Sequence, residues 1–107
     1  MTVTFRSQVV LAALLSLVGS VGFAQSSGQA IYKAQCLNCH GVTGMADSNV
    51  GKVMHIKPVT DPEVRKLTLD QMVTAVKNGT GKMLPYKDKL TSAQITEVTG
   101  YFHTLVK

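Results

Sequence analysis

The chain has 107 residues, a net charge of +5 and only two cysteines. That is short enough for one small domain, and too little apolar material for a large core of side chains alone. The charge is modestly basic, and no aromatic or arginine-rich patch accompanies it, which excludes a nucleic-acid reading and leaves an acidic partner or an anionic surface.

In chain order, the first segment is a leader. Arg6 precedes a mostly apolar run from Val9 to Val18, and small residues follow, ending at Gly22, Phe23 and Ala24. This is the order of a secretory signal: positive region, apolar region, small-x-small cleavage site. The apolar run is shorter than the about 20 residues of a membrane span. The expected division is a signal peptide over 1–24 and a single domain over 25–107, with the mature protein starting near Gln25 and no stable membrane insertion after cleavage. An uncleaved anchor is the competing reading. The mature part keeps a net charge of +4.

Residues 25 to 27 read as a short lead-in. A first helix is predicted from Gly28 to Cys39, with apolar and small positions at Ala30, Ile31, Ala34 and Leu37. It ends in Cys36-Leu37-Asn38-Cys39-His40. This C-x-x-C-H spacing is the attachment signature of a c-type haem. Two thiols three positions apart can bond one porphyrin edge, and the histidine directly after them can reach the iron from one face. The motif occurs once, so one covalent haem c is expected, with Cys36 and Cys39 as its attachment points and His40 as an iron ligand. The rival readings are a redox dithiol, which lacks its usual βαβ setting, a half zinc site, for which His55 and His103 form no second pair, and a plain disulfide, which has no use for His40.

Gly41 to Lys66 is rich in Gly, Lys, Asp and Pro and has no helical period; it reads as a long functional loop with short helical turns within it. Thr68 to Gln71 is a capping box, so a helix should run to about Asn78, buried along Met72, Val73 and Val76 and closed by Gly79. A loop with Met83 and Pro85 follows. Thr91 to Gln94 is a second capping box, opening a last helix from Ser92 to about Val106 with Ile95, Val98, Phe102 and Leu105 on one face. No strand is predicted. The fold class is all-α, with three main helices.

These residues together resemble the class I cytochromes c, the small bacterial monohaem electron carriers, over essentially all of Gly28 to Val106. The motif at Cys36 to His40 is the most specific element. The stretch Gly79 to Tyr86, followed by Lys89, Leu90 and Thr91, is similar to the family's Met-ligand loop, although Leu84 stands between Met83 and Pro85. Gly28 and Tyr32 occupy the spacings at which the family's first helix crosses its last, with Val98 and Tyr101 as the matching pair. The resemblance implies a cytochrome c fold wrapped around the haem, Met83 as the second axial iron ligand, and a proline carbonyl, from Pro58 or Pro62, that accepts a hydrogen bond from His40.

By residue chemistry alone, Met45, Met54, Met72, Met83, His55 and His103 are all possible sixth ligands. Met72 sits on an apolar helix face, Met45 follows His40 too closely to reach the other side, and His103 lies beside the core stripe. Met54 and His55 are the competitors of Met83. His/Met ligation raises the reduction potential and leaves no iron position for a substrate. The implied function is a periplasmic one-electron carrier between redox proteins with acidic docking surfaces, not an enzyme. Lys77, Lys82, Lys87 and Lys89 form either a docking ring or a solvated face. The alternatives are a haem enzyme or sensor with an open sixth site, with His55 as distal residue, and a haem subunit of a larger redox complex.

Overall fold

The computed structural model describes residues 23–107 of the chain, and side chains from Ser27 onward. The expected leader lies outside the described residues except for its last two, Phe23 and Ala24, which are helical. The described elements are α1 (Phe23–Gln35), α2 (Leu37–His40), α3 (Asn49–Val53), α4 (Pro62–Arg65), α5 (Leu69–Asn78) and α6 (Ser92–Leu105). Among the described residues there is no strand; Thr80 and Met83 form one isolated bridge. None of these helices is long and apolar enough to cross a membrane.

Local chemistry accounts for the boundaries. Both capping boxes form: Thr68 and Gln71 exchange side-chain and backbone bonds at the start of α5, and Thr91 and Gln94 do so at α6. α5 stops at Gly79, whose φ of 75° suits glycine. Inside the expected long loop, Ser48 caps α3 by accepting from the Gly51 N–H, and Asp61 caps α4, which carries Pro62 in its first turn.

The first helix differs from expectation. It already includes Phe23, the first described residue, and breaks at Cys36, where the backbone takes φ −117° and ψ −32°. The break is shallow, because the Cys36 N–H still reaches the Tyr32 carbonyl at 2.9 Å and the His40 N–H reaches the Cys36 carbonyl at 2.9 Å. The haem motif therefore occupies a separate short helix, α2, that ends at Gly41 with φ 79°.

α1 packs against α6, α5 against α6, and α2 against α3. The α1–α6 crossing is close because Gly28 has no side chain: a Cβ there would lie 2.5 Å from the Glu97 carbonyl oxygen and 3.3 Å from the Tyr101 Cβ. Tyr32 fills the next turn, buried, with its ring 5.2 Å from that of Tyr101. The core comprises Tyr32, Ala46, Val59, Met72, Ile95 and Val98 with the polar Thr99. Full burial of such apolar side chains stabilises by about 1.5–3 kcal/mol each, and there are few of them. The loop contributes Val59, tied to Gly44 by a 3.0 Å backbone bond.

Candidate functional site

A cavity of about 670 Å³ opens among α2, α5, α6, the segment after α3 and the turn after α5. Its size lies within the about 300–1,000 Å³ of cofactor sites. Tyr32, Met72, Ala75, Val76, Val98 and Phe102 form apolar wall; Cys36 and His40 enter from the haem motif, Met54 and His55 from the end of α3, and Met83 from the turn after α5. Lys57, Glu63, Lys66 and Lys82 are exposed residues that also line it.

Cys36 and Cys39 are both half-buried and are not joined in a disulfide. Cys36 lines the cavity and Cys39 is not among its lining residues. Burial, and then the neighbouring Cys39, push the Cys36 thiol up to about 11. A redox dithiol works through a lowered thiol pKa, so this environment is wrong for one. No group of three or more His, Cys, Asp or Glu side chains gathers to hold a metal ion among the described residues.

His40 sits at the end of α2, against the ring of Phe102 at 5.2 Å and nearly edge-on. Burial lowers its pKa, which keeps the imidazole neutral and its lone pair available to a metal. Its Nδ1 is buried without a hydrogen-bond partner. Of the proline carbonyls expected to receive it, Pro58 accepts the Asp61 N–H at 2.9 Å and Pro62 accepts the Lys66 N–H at 3.2 Å, which leaves each a second lone pair.

Met83 stands at the end of a tight turn. Thr80 and Met83 exchange backbone bonds of 2.8 and 3.1 Å, with Gly81 at φ 54° between them. Gly79 must be glycine for a second reason, since a Cβ there would lie 2.6 Å from the Met83 carbonyl oxygen and 2.9 Å from the Pro85 nitrogen. The segment is held at three further points. The Tyr86 N–H bonds the Val76 carbonyl at 3.0 Å, the Tyr86 hydroxyl donates to the Gln35 carbonyl at 3.1 Å, and Lys82 Nζ donates to the Met54 carbonyl at 2.9 Å. The extra Leu84 is accommodated outward, 64% exposed.

Of the other sixth-ligand candidates, Met45 and His103 are exposed and do not line the cavity. Met72 lines it from the core, 4% exposed. Met54 is half-buried and His55 exposed, with His55 in the left-handed region at φ 54°. The four lysines are exposed, and the Lys87 N–H bonds the Lys77 carbonyl at 3.2 Å, so two of them are neighbours in space.

Sequence reasoning missed Thr99, which lines the cavity, is fully buried, and has an unpartnered hydroxyl. The signal was its position four residues after Ile95, within the apolar stripe. An apolar cavity with two buried polar atoms unpaired beside it, His40 Nδ1 and Thr99 Oγ1, and with a neutral imidazole and thioethers facing it, fits a large apolar cofactor carrying a metal.

Residues 23–102 match the family described as cytochrome c oxidase, cbb3-type, subunit III. The solved KustC0563 c-type cytochrome superposes with a TM-score of 0.67 at 26% identity, over 75% of this chain and 98% of that one. A tyrosine-to-phenylalanine mutant of Kustc0563 superposes with a TM-score of 0.65 at 23% identity, over 74% and 98%, a likeness of fold alone. No curated protein sequence matches.

Proposed function

The chain belongs to the family described as cytochrome c oxidase, cbb3-type, subunit III, a small c-type cytochrome of all-α cytochrome c fold with covalent haem c as cofactor, and from that premise we propose that it is an exported, periplasmic one-electron carrier with His40 and Met83 as its axial iron ligands. Bound haem supplies an iron centre that changes charge by one.

The chain's own residues do the rest. Cys36, at the break before α2, and Cys39, within α2, would tether the cofactor. His40, kept neutral by burial, supplies an imidazole, and Met83 supplies a soft thioether that favours the ferrous state. With His40 and Met83 both holding the metal, no substrate would reach it, and the protein would exchange electrons without bond chemistry. The exposed lysines at positions 77, 82, 87 and 89 suit a weak, salt-sensitive encounter with an acidic redox partner.

The observation that carries this reading is the shared cavity: His40 and Met83, far apart in sequence, line one apolar space of cofactor size. The test is the purified, exported holoprotein. It should titrate as a single one-electron centre, show the weak far-red band of a thioether-bound ferric haem, and bind carbon monoxide slowly. Fast carbon monoxide binding with that band absent would favour the open-site enzyme or sensor. Mass spectrometry should place the N-terminus near Gln25.

The family description favours a second reading, a fixed haem subunit of a larger redox complex. Salt separates the two. A carrier leaves its partner at moderate ionic strength, whereas a subunit co-purifies in fixed stoichiometry.

A further inference from the structure

We propose that Tyr86 is a positioning residue for Met83: its hydroxyl latches the Met83 turn to the Gln35 carbonyl, the peptide oxygen next to Cys36, and so keeps Met83 at the cavity. The inference rests on the reading of Met83 as an iron ligand.

The break in the helical path creates the acceptor. In a continuous α-helix the Gln35 carbonyl would receive the N–H four residues on, that of Cys39. Here the Cys39 N–H reaches the Cys36 carbonyl instead, at 3.2 Å, and the His40 N–H shares that oxygen at 2.9 Å. The Gln35 carbonyl is thereby released at the end of α1, and an oxygen at a helix end takes its partner from outside the helix. The Tyr86 hydroxyl supplies it, donating at 3.1 Å from a residue 51 positions away in sequence.

The rest of Tyr86 is fixed as well. Its N–H bonds the Val76 carbonyl of α5 at 3.0 Å, and its own carbonyl accepts the Lys89 and Leu90 N–H groups at 2.9 Å each. Lys89 Nζ stands 5.4 Å over the ring. Burial first, then Cys36 and Cys39, push the phenol pKa up, so the hydroxyl keeps its proton to donate. Tyr86 is not among the residues lining the cavity, so a bound cofactor does not compete for the bond.

Met83 lies three residues before this anchor and one after another, Lys82, whose Nζ donates to the Met54 carbonyl at 2.9 Å. The two are unequal. Lys82 is exposed, and a long lysine chain loses much rotamer freedom when it is held. Tyr86 is half-buried and rigid, and its bond joins the turn to the backbone of the covalent tether itself.

The test uses haem-loaded Tyr86→Phe, which keeps the ring and removes the hydroxyl. Free imidazole is the probe, because it enters the sixth position only when the Met83 turn swings away. The imidazole affinity of the ferric protein should rise roughly three- to tenfold, the effect of one net hydrogen bond lost from the closed form alone. Amide exchange should quicken from Gly79 to Tyr86. Thr68→Ala is the control, since it removes the cap at the other end of α5. It should lower the melting temperature and leave the imidazole affinity unchanged. An unchanged affinity in Tyr86→Phe, or an equal rise in Thr68→Ala, would overturn the positioning role with Met83 still the ligand. The parent spectrum separates the deeper failure: a ferric protein without the far-red thioether band removes the ligand reading and this inference together.

Discussion

The two parts of the cavity lining that carry His40 and Met83 are built differently. The His40 wall is helical: α2 follows α1 almost continuously, packs on α3, and meets α6 through Phe102, and behind it Gly28 and Tyr32 lock α1 onto α6. The Met83 wall is a turn of irregular backbone, pinned by a few hydrogen bonds, with Gly81, Lys82 and Leu84 exposed. Local stability follows buried contacts, and segments resting on exposed hydrogen bonds open first. The comparison teaches that His40 is held by the fold's core and Met83 by a strap. On the proposed ligation, the Met83 side is the one that opens first.

The most severe way to break this contrast is to cut the tether of the helical wall. Cys36→Ala or Cys39→Ala should lose most of the covalent haem and much of the folded protein, because the cofactor supplies core that so small a chain lacks. Circular dichroism and haem staining of the mature protein check it. A stable, haem-free chain with full helicity would show that the helical wall stands alone.

Next in size is the crossing behind that wall. Gly28→Ala sets a Cβ against the Glu97 carbonyl, a rigid backbone atom. Overpacking of this kind costs about 1–3 kcal/mol, and the melting temperature should fall by roughly 4–8 °C per kcal/mol in a domain of this size. Thermal unfolding measures it. An unchanged melting temperature would mean that α1 and α6 are not tightly joined.

Met83→Ala sharpens the contrast directly. The haem should remain attached and His40 bound, while the potential falls and cyanide or carbon monoxide binds quickly. Amide exchange should accelerate from Gly79 to Tyr86 and stay unchanged in α1 and α6. An unchanged potential with a closed sixth site would hand the ligand role to Met54 or His55.

The smallest effect is alkaline. Burial first, then Cys36, Tyr101 and Asp47, push the Tyr32 hydroxyl up to about 12, from an ordinary value of about 10. The folded state therefore prefers the neutral phenol. This contribution is intact below pH about 10 and is lost as pH rises through about 12. Its bond to the Gly41 carbonyl, 2.6 Å long, ties α1 to the end of α2. Denaturant unfolding followed from neutral to alkaline pH should show stability declining in that window, with a shallower decline in Tyr32→Phe. Equal slopes would remove Tyr32 from the account.

The same two walls differ in how far they could be read from the chain. In the helical wall, the C-x-x-C-H spacing, the glycine and tyrosine before it and the stripe on α6 all led to the observed elements, because short-range periodicity reports helices directly. The exceptions are instructive. The break at Cys36 is one torsional change inside a helical pattern and leaves no compositional trace. Thr99 was hidden because a threonine in an apolar stripe looks neutral until its hydroxyl is seen to lack a partner. In the loop after the motif, short helical turns were anticipated, but their places depended on Ser48 and Asp61 as caps.

By itself the sequence determined the bounds of α5 and α6, the single haem motif and the all-α class, since capping boxes, a C-terminal glycine and motif spacing act within a few residues. Only the tertiary structure decided which side chains share the cavity. Met83, Met54 and His55 converge with His40 there, and the Lys82 ammonium spans to Met54. Those outcomes depend on loop closure between residues distant in sequence, whose energetics are spread over many weak contacts and have no period along the chain to read.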